Sequence, residues 1–149
     1  MASILRTKAV STAMHRYGTR SQSSANAAKA THFTSDRMKA YFDLPGFVVA
    51  GASDDRTKFG NKVLRAMMNH GKPCVCISKR LTNIEGTPAF PDLPTATKDL
   101  TTRVPAVKSL SNVGMNVITP PGATLALMKE GYQLGIRNFF CQPGTVDEA

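Results

Sequence analysis

Four short apolar runs constrain this chain most: FVVA at 47–50, CVCI at 74–77, VGMNVIT at 113–119 and RNFFC at 137–141. From Leu44 onward such β-rich runs alternate with stretches of helical period, which is the pattern of α/β units with parallel strands. CVCI is continuously apolar, as a strand buried on both faces must be. FVVA ends at Gly51, a residue that permits a tight turn directly off a strand.

Between the runs, helical period links Phe59, Val63, Ala66, Met67 and, less cleanly, Met68, and the helix closes at HGKP with Gly71 as its cap. IEGTPAFPDLP (84–94) holds a glycine and three prolines, so it reads as a loop with one short edge strand. Residues 95–111 are polar and weakly patterned, with a short helix expected near 96–102. PPG then turns the chain into a helix over Ala123–Leu134, with an apolar stripe of Leu125, Leu127, Met128, Tyr132 and Leu134 capped by Gly135. The order β-α-β … β-α-β predicts an α/β fold: a Rossmann-like open, mostly parallel sheet with flanking helices over residues 44–149.

A chain of 149 residues holds one such domain, and no apolar run approaches the roughly 18 residues of a membrane helix. The net charge of +9 suggests a nucleic-acid binder until its distribution is read. Residues 1–35 carry Arg6, Lys8, Arg16, Arg20 and Lys29 and no carboxylate. The domain proper is only mildly basic, and neither nucleic acid nor membrane is expected as its partner. Residues 1–40 are rich in Ser, Ala, Arg and Thr, the composition of a mitochondrial transit peptide or, failing that, of a disordered basic leader on a cytoplasmic protein or of a nucleic-acid arm.

Cys74, Cys76 and Cys141 match neither a zinc ribbon nor a CxxC redox pair, so free thiols in a reducing compartment and no metal site are expected. Cys74 and Cys76 read as two small hydrophobes on one strand face. His70, the one histidine past residue 44, falls in a helix C-terminal turn and reads as a cap. Asp54 and Asp55 are adjacent and cannot readily flank a substrate; compensation of the following helix start is their expected role. No catalytic set is visible.

In open parallel sheets, ligands lie beyond the C-terminal strand ends. Four segments belong there: GASDDRTKFGN after the first strand, SKR after the second, TPPG after the third and CQPG after the last. Gly51, the Ser53 hydroxyl and the start of the following helix make a loop suited to phosphate. The patterns GxGxxG and GxxxxGK[ST] do not fit, because the next glycine is Gly60, so by spacing alone a plain structural turn remains equally open. NAD-binding folds place a carboxylate at the end of the second strand; Ser78, Lys79 and Arg80 stand here instead. Two cations suit a phosphorylated ribose, as in NADP or coenzyme A, or form a solvated pair.

VVAGASDDRTKFGNKVLRAMMNHG, IEGTPAFPDL, NVITPPGATLALMKEGYQLGI and FFCQPGTVDEA together resemble the CoA-binding domain family, the small Rossmann-like module also found at the N-terminus of the succinyl-CoA ligase alpha subunit. The resemblance implies that Gly51, Ala52 and Ser53 meet the nucleotide or diphosphate of coenzyme A, with Lys58 and Asn61 in the matching motif. Family members carry N-P-K after the second strand, so it implies that Lys79 or Arg80 stands in for that lysine. Thr119, Pro120 and Pro121 match the pantetheine side, and Cys141, Gln142, Pro143 and Gly144 the closing loop. Family members continue past this point through a helix and a strand, which implies a shortened and less stable C-terminal end here.

The ligase performs its phosphoryl chemistry with a histidine in a second domain, so the resemblance implies binding and not that reaction. The expectation is a non-catalytic module for CoA or an acyl-CoA. The alternatives are an NADP-binding oxidoreductase or sensor, and a subunit with a vestigial nucleotide site that docks to a protein partner or to a second copy of itself. Cys141, placed at the mouth of the site, would form a mixed disulfide with the CoA thiol if it were exposed and its pKa lowered.

Overall fold

The structure, a computed structural model, describes residues 35–145. The leader reading of residues 1–34, with its import address, and the last four residues lie outside the described residues. Helix α1 (Ser35–Phe42) overlaps the stretch assigned to the leader. Its end is anchored because Tyr41 and Phe42 form an aromatic cluster with Phe47 and Phe140, with centroid separations of 5.5 to 6.3 Å.

The remaining elements follow as β1 (Gly46–Ala50), α2 (Phe59–Asn69), β2 (Cys74–Ile77), β3 (Asn83–Ile84), β4 (Thr87–Phe90), α3 (Leu93–Arg103), a 3-10 turn (Leu110–Asn112), β5 (Val113–Val117), α4 (Pro121–Leu134) and β6 (Asn138–Cys141). The strands form one sheet in the order β3-β4-β2-β1-β5-β6, and every pairing is parallel except β3 with β4. The expected mostly parallel Rossmann-like sheet is what forms.

All five residues of β1 and all five of β5 are buried, as central strands covered on both faces must be. Alternate side chains feed two cores. Val48, Val75, Val113, Met115 and Val117 meet Leu93, Ala96 and Leu100 of α3 on one face, with Leu127, Met128 and Leu134 of α4 packed against them. Phe47, Val49, Cys74 and Cys76 meet Leu64 and Met67 of α2 on the other, with Tyr41 and Phe42 of α1 packed there. Each large side chain so enclosed contributes about 1.5–3 kcal/mol. Gly114 has no side chain because a Cβ there would strike the Phe47 ring at 2.6 Å.

Several elements depart from the sequence reading. The buried side of α2 is Gly60, Asn61, Leu64 and Met67, whereas Phe59 and Met68 are exposed. The stripe is rotated because the glycine side of the helix, not its phenylalanine side, sits against the sheet. In α4, Thr124 and Gly131 are buried while Leu125 and Tyr132 face outward. Gly131 lets the helix approach Phe139 and Met115, which a Cβ would meet at 3.1 and 3.3 Å. Residues 84–94 hold a strand inside the sheet, not at its edge: β4 lies between β2 and the two-residue β3. Helix α3 begins earlier than expected because Asp92 caps it, accepting from the Thr95 N–H at 2.8 Å.

Candidate functional site

The four segments expected at the site leave the sheet side by side. Ala50 is in register with Ile77 of β2 and with Val117 of β5, and Val117 with Cys141 of β6. Residues 78–80, 51–58, 118–121 and 142–144 therefore line up along one sheet edge. The winding reverses between β1 and β5, since α2 covers one face and α4 the other. Ligands of open parallel sheets lie at such a reversal.

The loop after β1 is shaped in part by its own polar groups. Gly51 has a φ of 91°, and its backbone lies against the Ile118 carbonyl, where any Cβ would collide. The Ser53 hydroxyl accepts from the Asp55 N–H at 3.1 Å. Asp55 accepts from the Thr57 N–H at 2.9 Å and its hydroxyl at 2.6 Å. The Thr57 hydroxyl and N–H hold the Asp55 carboxyl below the usual aspartate range. Asp55 thus caps the turn inside the loop and not the start of α2. Ala52 is half-buried, and Asp54 is exposed.

Asn61, fully buried, carries its polar ends into this loop. Its Nδ2 donates to the Ser53 carbonyl at 2.8 Å and to Glu85 Oε1 at 3.1 Å, while its Oδ1 accepts from Arg65 Nε at 2.8 Å. Arg56 closes on the same carboxylate, Nε to Oε1 and Nη2 to Oε2, both at 2.8 Å. Donation from Arg56 first, then from Asn61, holds Glu85 at a pKa of about 2. Asn61 therefore supports the loop from beneath. Glu85 and Arg56 escaped the sequence reading; the Glu-Gly pair in IEGTP marks a two-residue turn, but nothing local shows that this turn reaches the β1 loop.

Lys58 precedes α2 and supplies no side-chain cap, so the first-turn N–H groups keep the positive end of the helix dipole open to the loop. Pro120 likewise leaves α4 without a side-chain cap. Thr119 hydrogen-bonds the buried Thr124 hydroxyl at 2.9 Å, and Thr124 in turn donates to the Thr119 and Pro120 carbonyls, which shapes the TPP turn. Pro120 is exposed and Pro121 half-buried. At the end of β2, Lys79 and Arg80 are exposed, and neither forms an ion pair among the described residues. The Ser78 hydroxyl orders their backbone by accepting from the N–H groups of Arg80 and Leu81.

After β6, the Gln142 N–H continues the ladder to the Val117 carbonyl, Pro143 is exposed and Gly144 adopts a φ of 82°. Cys141 does not meet the conditions for disulfide exchange with a thiol ligand. It is partly buried against Met128, at 3.6 Å between sulfurs, and that burial pushes its pKa up, not down. Cys74 and Cys76 are buried free thiols in one core, raised by desolvation to about 12. His70 caps α2 as expected, its Nδ1 lying 2.7 Å from the Ala66 carbonyl. Among the described residues no three metal-ligating side chains gather, and no helix is long and apolar enough to cross a membrane.

Loops gathered at the winding reversal of a parallel sheet, two helix starts without side-chain caps and two cations outside any ion pair among the described residues make up an α/β module of Rossmann-like type, whose ligands lie at that edge. The family described as the CoA binding domain matches residues 46–149, and the chain belongs to that family. Binding of CoA, at that general level, is what membership supports. The fold is shared with a conserved hypothetical protein from Pyrococcus furiosus, at 22% identity and a TM-score of 0.56 over 69% of this chain and 78% of that one. It is shared also with a hypothetical protein from Pyrococcus horikoshii, at 15% identity and a TM-score of 0.60 over 76% of this chain and 72% of that one. A third likeness, to a protein redesigned for binding, has 14% identity and a TM-score of 0.57 over 74% of this chain and 69% of that one. No curated protein matches the chain.

Proposed function

We propose that this protein is a non-catalytic module that binds CoA or an acyl-CoA along the row of loops. The backbone of Gly51–Ser53 and the start of α2 take the diphosphate, and Lys79 and Arg80 take the ribose 3′-phosphate. Thr119–Pro121 and Gln142–Pro143 border the pantetheine arm. The observation that carries this reading is the parallel register of Ala50 with Ile77, which sets the amide-rich loop and the two unpaired cations at adjacent strand ends. A single extended nucleotide spans neighbouring strand ends without distortion of the sheet.

A binding role without catalysis is supported by how the titratable groups are spent. His70 is tied to its own helix, Asp55 to its own turn and Glu85 to Arg56. Equilibrium dialysis against CoA, 3′-dephospho-CoA and NADP tests the assignment. Loss of the 3′-phosphate should weaken binding by about 1–3 kcal/mol. The double substitution Lys79→Ala/Arg80→Ala should erase that difference. Equal affinity of the unaltered protein for the first two ligands would remove these cations from the site, and tighter binding of NADP would replace CoA as the ligand.

A further inference from the structure

Glu85 occupies a costly backbone position. It is the first residue of the two-residue turn joining β3 to β4, and the register of Ile84 with Thr87 makes Glu85 and Gly86 its two central residues. Their φ values are 51° and 83°. Positive φ at both positions is the requirement of a type I′ hairpin turn, which favours Asn-Gly or Asp-Gly. Among the described residues, Glu85 is the sole non-glycine residue with positive φ. A long carboxylate in that place is poor turn chemistry and calls for another reason.

The reason lies across the fold. The Glu85 side chain is only 18% exposed and reaches residues 29 and 24 positions away in sequence, Arg56 in the β1 loop and Asn61 at the start of α2. It receives both arms of the Arg56 fork, and the Asn61 amide that donates to it also donates to the Ser53 carbonyl. One carboxylate thus grips the loop at two points, directly through Arg56 and through Asn61 at Ser53.

We infer that Glu85 is a positioning residue for the nucleotide loop: its carboxylate holds residues 53–58 in the ligand-ready shape through Arg56 and Asn61, without touching the ligand. The inference rests on the CoA reading for the identity of the ligand, but not for the hold on the loop. A loop fixed in advance binds without an ordering cost at the moment of association. The strain at Glu85 is the cost of this arrangement, carried by the hairpin.

Glu85→Asn separates the two roles, because it supplies the preferred Asn-Gly turn while removing the long carboxylate. Relief of the strained turn offsets the loss of the Arg56 pair, so the thermal midpoint is expected to move little, while amide hydrogen exchange at residues 53–58 accelerates and the Kd for CoA rises at least tenfold. Arg56→Gln should repeat the exchange and affinity changes, and Arg56→Gln/Glu85→Gln should be no worse than either single variant. Unchanged exchange at 53–58 with a Kd within twofold would overturn the inference. So would a fall in midpoint with faster exchange throughout the domain, which marks a structural role only. If the unaltered protein binds no CoA, the ligand reading falls, and exchange at 53–58 still decides whether Glu85 holds the loop.

Discussion

The carbonyl oxygen of Gly51 lies where a Cβ on Gly60 would have to sit, well inside van der Waals contact. The first residue past β1 and the start of α2 therefore touch backbone to backbone. That contact brings the open end of the α2 dipole against the loop, and it explains a glycine spacing that fits neither familiar phosphate-binding pattern.

Gly60→Ala should accordingly destabilise the protein by about 1–3 kcal/mol, since backbone on both sides leaves nothing flexible to move. Gly122→Ala serves as the contrast, because beyond its own neighbouring backbone no atom lies within 4 Å of its would-be Cβ, and alanine suits a helix better than glycine by up to about 0.5–1 kcal/mol. Urea unfolding of both variants checks this; equal losses would mean that the close approach is not what demands glycine at 60.

Arg103, in the last turn of α3, donates from Nη2 to the Cys74 carbonyl at 2.9 Å. Strand alternation points that carbonyl toward β4, given that the Pro73 carbonyl serves Phe47 on the β1 side. Alternation in β4 turns the Pro88 nitrogen toward β2, because the Ala89 N–H bonds Thr82 on the β3 side, and proline has no hydrogen to give. Arg103→Met should therefore cost about 1–3 kcal/mol by leaving a partly buried carbonyl unpaired. In a Pro88→Ala background the same substitution should cost measurably less, and a double-mutant cycle with zero coupling would contradict the account.

Cys74 and Cys76 have pKa values raised to about 12 by burial, and Cys141 is raised as well. At pH 8 the thiolate fractions of Cys74 and Cys76 are minute and that of Cys141 is below that of a free thiol, so alkylation of the native protein should be slow at Cys141 and negligible at the other two, with all three reacting in denaturant. Mass spectrometry of the labelled peptides reads the outcome directly. Rapid native labelling at Cys74 would show that its strand face opens.

The Glu85 carboxyl is lowered from 4.5 to about 2, and those of Asp55 and Asp92 are lowered too. A depressed folded-state pKa means that the unfolded chain binds protons first as pH falls. The stability from Glu85 is thus complete above about pH 4.5 and is lost progressively toward pH 2. Urea midpoints measured from pH 6 to pH 2 should fall across that window, and Glu85→Gln should flatten the fall. A variant with an unchanged acid slope would assign the loss to other groups.

Local sequence settled the elements that depend on local forces. Continuous apolar runs 47–50 and 74–77 could only be covered strands, Gly71 and Gly135 ended helices because φ must turn positive there, and His70 lay one residue past a helix it could cap. These are short-range effects of burial, backbone sterics and hydrogen bonding, and they were legible residue by residue. The alternation of strands with helices likewise carried the parallel sheet and the row of loops along one of its edges.

Tertiary structure decided which side of each helix faced inward and which residues met across the chain. Phe59 and Tyr132 are as apolar as their buried neighbours, but Gly60 and Gly131 permit closer packing, so the helices turned their small residues to the sheet. Pro88 sits inside the sheet because a guanidinium far along the chain supplies the donor it lacks. Arg56, Asn61 and Glu85 became one network only when the β3-β4 turn folded back beside the β1 loop. Such contacts depend on chain topology, and no local propensity encodes a meeting between residues that distant in sequence.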